Sequence, residues 1–368
     1  MVIGQDRFHD RRPSMRRKAF HFSDLRALFD FDFGGVVDSE VLREYPTCEG
    51  APMRTTMTWL NLFSLIVFAA HSLAASGRDT TMEAALQQAF NAGQLPGLHS
   101  VLVIHQGKVF AERYFVGADN RWGEPLGERQ HGPDALHDIR SVTKPIVGLL
   151  YGIALAEGKV PDLDESILKY FPQYSDLAKD DARKAIRIRH ALSMTMGMAW
   201  REDIPYSDPN NSEIAMEHAK DRYGFVLEQP MAHEPGSKWT YSGGALALIA
   251  QLIADGTGKS IDEYAEEKLF KPLGITSYEW ICGADGVPSA ASGLRLRTQD
   301  LARIGQLVLD KGSFNGREIV PEAWLRESFT PRSDMPDDGL RYGFYGCLPR
   351  HRGTTRRLFG IWETADKC

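Results

Sequence analysis

From about residue 80 onwards, apolar positions follow alternating helical and strand periods. Residues 81–93 (TMEAALQQAFNAG) have apolar positions at helical spacing between an initial Thr and a final Gly, which predicts a capped helix. Residues 99–117 contain two β-rich runs around the turn Gln106-Gly107-Lys108, which predicts a hairpin. Further helical patterns cover residues 145–157, 166–171, 213–220, 244–255 and 298–312. A hairpin followed by helices predicts an α+β fold, with a mostly antiparallel sheet flanked by helices and joined to a helical region.

Between these helical patterns, residues 201–214 (REDIPYSDPNNSEI) form a polar stretch that contains Pro, and its last residues open the next helix. Loops of this kind often border active sites. Residues 238–241 follow a Pro-Gly turn and precede a helix, so we expect a short strand there.

The segment from Met53 to Gly77 (MRTTMTWLNLFSLIVFAAHSLAASG) has the pattern of a secretory signal peptide. Arg54 supplies the positive charge, residues 59–70 supply the apolar core, and small residues follow. We expect residues 53–75 to direct export to the periplasm or the medium; an uncleaved membrane anchor is the alternative. Residues 1–52 keep no amphipathic period, so our hypothesis is that translation starts at Met53 or Met57 and that 1–52 is an upstream extension.

Composition excludes some classes of partner and cofactor. The 368-residue chain has a net charge of -6, which gives no reason to expect nucleic acid as a partner. It has no HExxH motif and no paired CxxC, so we expect no metal and no cofactor. The four cysteines are too widely spaced for a disulfide framework, although Cys347 and Cys368 could pair in an oxidising compartment.

Two S-x-x-K tetrads stand out, at Ser141–Lys144 and Ser166–Lys169. Residues three apart on a helix share a face, so each lysine can reach its serine. The first tetrad precedes Pro145 and an apolar run. We therefore expect Ser141 near a helix N-terminus, where N–H groups can stabilise an oxyanion, and Lys144 buried, neutral and able to act as a base. Ser166 and Lys169 follow a polar segment and are expected to be ordinary surface.

A serine–lysine pair needs a further group that handles the proton of the leaving group, and Tyr241 stands at a strand-to-helix junction where it can face a cleft. By itself such a tyrosine is more often a core aromatic. Residues 256–260 (GTGKS) resemble the end of a phosphate-binding loop. However, Ile253 takes the place of the first glycine of that motif, so we expect a helix C-cap instead.

The order Ser141, Lys144, Tyr241 resembles that of the serine β-lactamase-like hydrolases, which include class C β-lactamases, D-alanyl-D-alanine carboxypeptidases, carboxylesterases and 6-aminohexanoate-dimer hydrolases. Further blocks are similar to family blocks in the expected order: GKVPDLDESILKYFPQY, IRIRHALSMTMGMAW, EPGSKWTYSGGALALIAQLI, LFKPLGIT and SGLRLRTQDLARIGQLVL. The resemblance runs from about Met82 to Tyr345. It implies a β-lactamase/penicillin-binding-protein-like domain over residues 80–345.

The chain departs from the family pattern at three places. The family's Y-x-N is Tyr241-Ser242-Gly243 here, without a side-chain amide, and its T-S-G is Thr195-Met196-Gly197. The family's late [HK]-T-G strand, which completes the oxyanion hole, has no clear counterpart in residues 346–368. We therefore describe 346–368 as a divergent tail that lacks the third motif, and a shifted reading frame or a truncated gene is the hypothesis that explains it.

The resemblance implies a serine hydrolase that cleaves a small-molecule ester, amide or peptide through an acyl-enzyme on Ser141, with Lys144 and Tyr241 as acid/base groups and no cofactor. One alternative is a degenerate member that only binds ligand, and another is β-lactamase or D-alanyl-D-alanine carboxypeptidase activity. Neither the substrate nor the oligomeric state follows from the sequence.

Overall fold

The computed structural model describes residues 2–4, 78–336 and 340–349. The predicted signal segment 53–75, the remainder of the extension 1–52 and the tail from residue 350 onwards lie outside the described residues. None of the helices in the described ranges combines the length and apolarity that a bilayer crossing requires.

In the described ranges the α-helices are α1 Thr80–Asn91, α2 Thr143–Ala156, α3 Asp181–Lys184, α4 Ile188–Leu192, α5 Ser212–Glu217, α6 Arg222–Leu227, α7 Gly243–Thr257, α8 Ile261–Ala265, α9 Thr298–Leu309 and α10 Glu322–Ser328. In the same ranges, 3₁₀ helices cover Arg140–Val142, Ile167–Tyr170 and Pro172–Lys179, and a π-helical turn covers Glu266–Phe270. The strands are β1 Val2–Gly4, β2 Leu98–His105, β3 Lys108–Tyr114, β4 Val116–Arg121, β5 Glu124–Gln130, β6 Leu136–Asp138, β7 Tyr278–Trp280, β8 Leu294–Arg297, β9 Ser313–Phe314, β10 Arg317–Glu318, β11 Ser333–Asp334, β12 Leu340–Tyr342 and β13 Cys347–Pro349.

All the described strand pairs are antiparallel, in the orders β1-β2-β3, β4-β5, β6-β8-β7, β10-β9 and β11-β12-β13. The predicted hairpin is confirmed as β2 and β3, and Gln106 and Gly107 in its turn both have positive φ. Helices and antiparallel sheets together confirm the α+β class.

The main core is built around α2 and α7, which pack against each other. Both helices are apolar on nearly every side, as the sequence indicated, and so both are buried. The predicted C-cap at the end of α7 is confirmed, since Gly258 adopts a left-handed φ of 70° and its N–H bonds Ala254 O. A smaller core lies between α1 and the β2–β3 hairpin.

Local details differ from the predictions in three places. Helix α1 is capped by Asp79, whose carboxylate accepts the N–H groups of Thr81 and Met82, because the chain turns helical one residue earlier than expected. Residues 238–241 form no strand; the Thr240 N–H bonds Met194 O at 2.8 Å instead of a neighbouring strand. The pattern at 166–171 is a 3₁₀ turn, Ile167–Tyr170, instead of an α-helix.

Candidate active site

Ser141 lies in the turn Arg140–Val142, which runs directly into α2. Pro145 occupies the first turn of α2, where its absent N–H costs no hydrogen bond. Arg140, immediately before Ser141, has a φ of 44°, in the left-handed region that side chains other than glycine avoid. Strained residues of this kind are typical of functional sites, and no pattern in the sequence indicated this one.

Lys144 is buried one turn further along the chain, and only 2% of its side chain is exposed. Its ammonium donates to Ser141 Oγ at 3.1 Å and to Ala291 O at 3.0 Å. The first of these contacts is the one that the S-x-x-K spacing predicted. The second fixes the amine from the opposite side of the site, on the segment that leads into β8.

Tyr241 completes the predicted trio. Its ring centroid lies 4.7 Å from Lys144 Nζ, and its side chain interacts with Ser141 and Lys144. It directly precedes α7, whose first turn is capped by Ser242 through Ala245 N–H. The fold therefore brings Ser141, Lys144 and Tyr241 together, although Tyr241 is about a hundred residues away in the sequence.

Two buried carboxyl groups that the sequence analysis did not identify adjoin this trio. Glu213 Oε2 lies 3.8 Å from Lys144 Nζ. Glu202 and Glu213 make a side-chain hydrogen bond with each other. Both residues belong to the 201–214 stretch, which was expected to border the site. Only the fold shows which of its side chains turn inward.

The charge of Lys144 differs from the expected neutral state. Burial lowers the pKa of Lys144, but attraction from Tyr241, Glu213 and Glu202 outweighs it, and the net shift is upward. Burial raises the pKa of Tyr241 despite the neighbouring lysine, so its hydroxyl stays un-ionised at neutral pH. These shifts favour an ammonium on Lys144 and a neutral phenol on Tyr241 in the resting site. The carboxylate beside the lysine was not predicted, and this is why a neutral lysine was expected.

The second tetrad lies on the surface, as expected. Lys169 is 65% exposed and forms an ion pair with Glu165 at 2.5 Å. Ser166 Oγ donates to Lys184 O at 2.9 Å and makes no contact with Lys169 through its side chain. This pair provides a matched control for substitutions at Ser141 and Lys144.

One cluster of possible metal ligands exists in the described ranges, at His99, His131 and His137, whose ligand atoms lie within 4.8 Å of one another. These three histidines are not adjacent in the sequence, and the fold brings them together from separate strands and loops. The His99 and His131 rings are stacked at 3.9 Å with an interplanar angle of 19°. No ion can lie in two nearly parallel ring planes at bonding distance, so this geometry suits neutral, packed imidazoles better than three metal ligands.

Comparison with known proteins gives the same fold. A curated protein of Escherichia coli (strain K12) named "Putative D-alanyl-D-alanine carboxypeptidase" is 27% identical over 186 residues, which is 48% of this chain and 42% of that protein. The chain thus spans less than half the length of this relative. A "Beta-lactamase" of the same organism is 24% identical and covers 74% of this chain and 67% of its own length. The solved structure of "EstCE1, a hydrolase with promiscuous acyltransferase activity" is 16% identical, with a TM-score of 0.57 over 73% of this chain and 82% of its own, and shows the shared fold.

The family assignment rests on a longer match. The family model described as Beta-lactamase matches residues 82–356, starting at the same Met82 as the resemblance seen in the sequence and covering well over half of the chain. This match, the α+β fold and the antiparallel sheets agree, and the chain belongs to the beta-lactamase family.

Proposed function

We propose that this protein is a serine hydrolase that cleaves a small ester or amide through an acyl-enzyme on Ser141. The observation that carries the proposal is the 3.1 Å contact between Lys144 Nζ and Ser141 Oγ, with the Tyr241 ring centroid 4.7 Å from the same Nζ. A nucleophile within hydrogen-bond reach of a base, with a third group that orients the base, is the arrangement that covalent catalysis requires.

The proton transfers of the reaction balance within this trio. Lys144, once it has lost its extra proton to solvent, accepts the Ser141 proton as Oγ bonds to the substrate carbonyl carbon. Tyr241 donates its proton to the departing alkoxide or amine, and the Lys144 ammonium then restores the Tyr241 proton. Water attacks the acyl-enzyme by the reverse route, with Tyr241 and Lys144 accepting its proton and Ser141 leaving as the alcohol.

The oxyanion of the tetrahedral intermediate faces the start of α2. The Ser141 N–H precedes the helix, and the positive end of the helix dipole favours negative charge there. A single backbone donor of this kind is worth about 10²–10³ in rate. The segment in which the family's third motif would provide a second donor lies outside the described residues.

Neutral esters and amides are the favoured substrates. Gly243 places no side-chain amide at the site, and Glu213 fills the neighbouring space with a carboxyl group. A carboxylate-bearing substrate would meet that negative charge at close range, which disfavours its binding.

Hydrolysis of β-lactams or of D-alanyl-D-alanine peptides is the second candidate, because two relatives carry these names. Both candidates use the same nucleophile and differ only in the acyl group accepted. A degenerate protein that binds ligand without turnover is the third reading, and it requires an inert Ser141.

Intact mass spectrometry of the full chain after exposure to a fluorophosphonate tests the nucleophile. Ser141→Ala is the critical variant, and Ser166→Ala is its matched control in the surface tetrad. We expect a single adduct on the parent and on Ser166→Ala, and none on Ser141→Ala. A folded parent protein that takes up no adduct would contradict the proposal and support the degenerate reading.

If the adduct forms, the substrate class is tested by initial rates with short-chain p-nitrophenyl esters, nitrocefin and a D-alanyl-D-alanine peptide. Faster turnover of the esters supports the first proposal. Faster turnover of nitrocefin or the peptide would replace it with the second candidate.

A further inference from the structure

We propose that Glu202 and Glu213 share a single proton, carried by Glu202, and that the remaining negative charge on Glu213 sets the charge state of Lys144. The inference deepens the proposed function, on which its kinetic test rests. It assigns to Glu202 and Glu213 a role that acts through Lys144 and that no spacing in the sequence indicates.

The Glu213 carboxylate receives a neutral donor at only one of its two oxygens, and its backbone is fixed by an acceptor. Its Oε1 accepts the Ser292 hydroxyl at 2.6 Å, and its backbone N–H is capped by Asn211 Oδ1 at 3.0 Å. Oε2 is buried 3.8 Å from Lys144 Nζ, and no N–H or hydroxyl donor in the described part of the chain reaches it. This oxygen therefore needs either the lysine charge or a proton from Glu202.

Glu202 accepts three hydrogen bonds, and all of its hydrogen-bond partners are uncharged. Its Oε2 accepts the Trp200 indole N–H and the Gly243 N–H, each at 2.5 Å. Its Oε1 accepts the Tyr206 hydroxyl at 3.1 Å. No cation binds Glu202 directly among the described residues, whereas Glu213 faces both Lys144 and, at longer range, Arg140.

Two contacting carboxyl groups buried in one site cannot both be ionised at low cost. The asymmetry of their surroundings decides which keeps the proton. Burial and the Glu213 charge raise the pKa of Glu202 well above its ordinary value. Burial also raises the pKa of Glu213, but Lys144 and the hydrogen bonds from Glu202 and Ser292 bring it below its ordinary value.

The two glycines at the start of α7 make room for this pair. A Cβ on Gly243 would lie 2.7 Å from Glu213 Oε2, and a Cβ on Gly244 would lie 2.6 Å from the Trp200 ring that bonds Glu202. Both distances are far below van der Waals contact. The sequence Tyr241-Ser242-Gly243-Gly244 therefore couples the catalytic tyrosine to a pocket for two carboxyl groups.

The groups that face Lys144 are Tyr241, Glu213 and Glu202, and those that face Glu202 also include Tyr206 and Tyr342. Burial raises the pKa of each of these tyrosines, so they are neutral near pH 7. The anion beside the lysine is then Glu213. Removing the charge of Glu213 should lower the pKa of Lys144. Replacing the protonated Glu202 carboxyl with a neutral donor, such as the amide of Gln, should leave the pKa of Lys144 unchanged.

The kinetic test is the rate constant of Ser141 labelling by a fluorophosphonate from about pH 6 to about pH 11. The pKa of Lys144 lies above its ordinary value, so labelling of the parent should still be rising at the upper end of this range. We expect labelling to rise with pH as Lys144 loses its proton. Glu213→Gln should move this rise to lower pH by about one to three units. This is the effect expected from removing one unit charge at this separation when the effective dielectric constant is about 20. Glu202→Gln should leave the midpoint in place, although its plateau rate can differ. Glu165→Gln, at the exposed Lys169 pair, is the matched control for loss of one carboxylate and should also leave it in place.

The outcomes separate the inference from the proposed function. The inference would be overturned by a larger shift in Glu202→Gln than in Glu213→Gln, by equal shifts in both, or by no shift in either. Labelling of Ser141 in these experiments would still support the proposed nucleophile. A parent protein that is not labelled removes the proposed function instead.

In that case the proton is tested directly by isotope-edited infrared spectroscopy of the full chain near pH 7. Burial raises the pKa of Glu217 to about 7, so this residue contributes a C=O band to both proteins, and the parent is compared with Glu202→Gln in a difference spectrum. We expect a C=O band of a protonated carboxylic acid in that difference. Its absence between two folded proteins would overturn the shared proton whatever the activity.

Discussion

Gly243 and Glu213 occupy adjoining space so closely that a side chain on the first excludes the carboxylate of the second. A Cβ at position 243 would lie 2.7 Å from Glu213 Oε2, 3.0 Å from its Cδ and 3.1 Å from its Cγ. The carboxyl group of Glu213 thus stands where the family's Y-x-N motif would place a side-chain amide. The chain keeps a polar group beside Lys144, but supplies it from a different segment and with a negative charge.

Replacing Gly243 with Ala should therefore move the Glu213 carboxylate away from Lys144 although neither of these two residues is substituted. We expect a shift of the labelling midpoint to lower pH, in the same direction as Glu213→Gln, because the lysine loses part of its counter-charge. The pH profile of fluorophosphonate labelling checks this. Combining Gly243→Ala with Glu213→Gln should give little further shift, and independent, additive shifts would contradict the shared mechanism.

Tyr241→Phe removes the proposed proton donor while keeping the ring over Lys144. General acid catalysis typically contributes about 10²–10⁴ in rate, so turnover of an alkyl ester should fall by about that factor. A p-nitrophenyl ester, whose leaving group needs no proton, should lose much less in its acylation step. Stopped-flow measurement of the burst phase with both esters checks the difference. Equal losses for the two leaving groups would show that Tyr241 does not act as their proton donor.

Lys144→Met should destabilise the fold through the charge that it leaves behind. Breaking a buried ion pair by removing one partner typically costs about 3–5 kcal/mol, and Glu213 would remain buried without its cation. The double variant Lys144→Met with Glu213→Gln should recover a large part of that loss, since no unpaired charge remains. Urea denaturation of the single and double variants measures it. Glu213→Gln alone completes the cycle, and losses of the two single variants that add up to the loss of the double variant would show that the pair contributes no coupling.

Elements whose pattern is local were predictable from the sequence. Two β-rich runs around Gln106 and Gly107 predicted the β2–β3 hairpin. A helical pattern followed by a C-cap signal predicted α7 and its end at Gly258. The S-x-x-K contact is equally local, because two residues three apart on a turn of helix meet whatever the rest of the fold does. Tyr241 was found through the order of motifs and through a resemblance, since its distance from Ser141 along the chain holds no geometric information.

The features that could not be predicted depend on which side chains the tertiary structure turns inward. Glu202 and Glu213 belong to a polar stretch that contains other acidic residues. Their contacts with Trp200 and Gly243, which only the fold creates, show that these two side chains turn inward. The charge of Lys144 depends in turn on that selection, so the expectation of a neutral lysine was wrong for a reason absent from its own neighbours in sequence. The histidine cluster likewise brings positions 99, 131 and 137 together through tertiary packing that no spacing in the sequence indicates.

That histidine cluster should make the fold sensitive to acid. Burial, followed by repulsion from neighbouring histidines, lowers the pKa of His99 to about 4 and that of His137 to about 3, and burial also lowers the pKa of His131. An unfolded chain would protonate these histidines near pH 6.5. The native state therefore binds fewer protons below that pH. Its full stability is present above about pH 6.5 and declines as the pH falls towards 3–4.

Each of these histidines contributes a slope of up to about 1.4 kcal/mol per pH unit within that window. His131→Gln keeps a polar, uncharged side chain beside His99 and should flatten the decline by up to one such contribution. Gln at the exposed His233 is the matched control and should leave the slope as it is. Urea denaturation at a series of pH values between about 6.5 and 4 measures both slopes. A parent protein whose stability is constant across this range would show that the three imidazoles protonate as readily in the folded state as in the unfolded one.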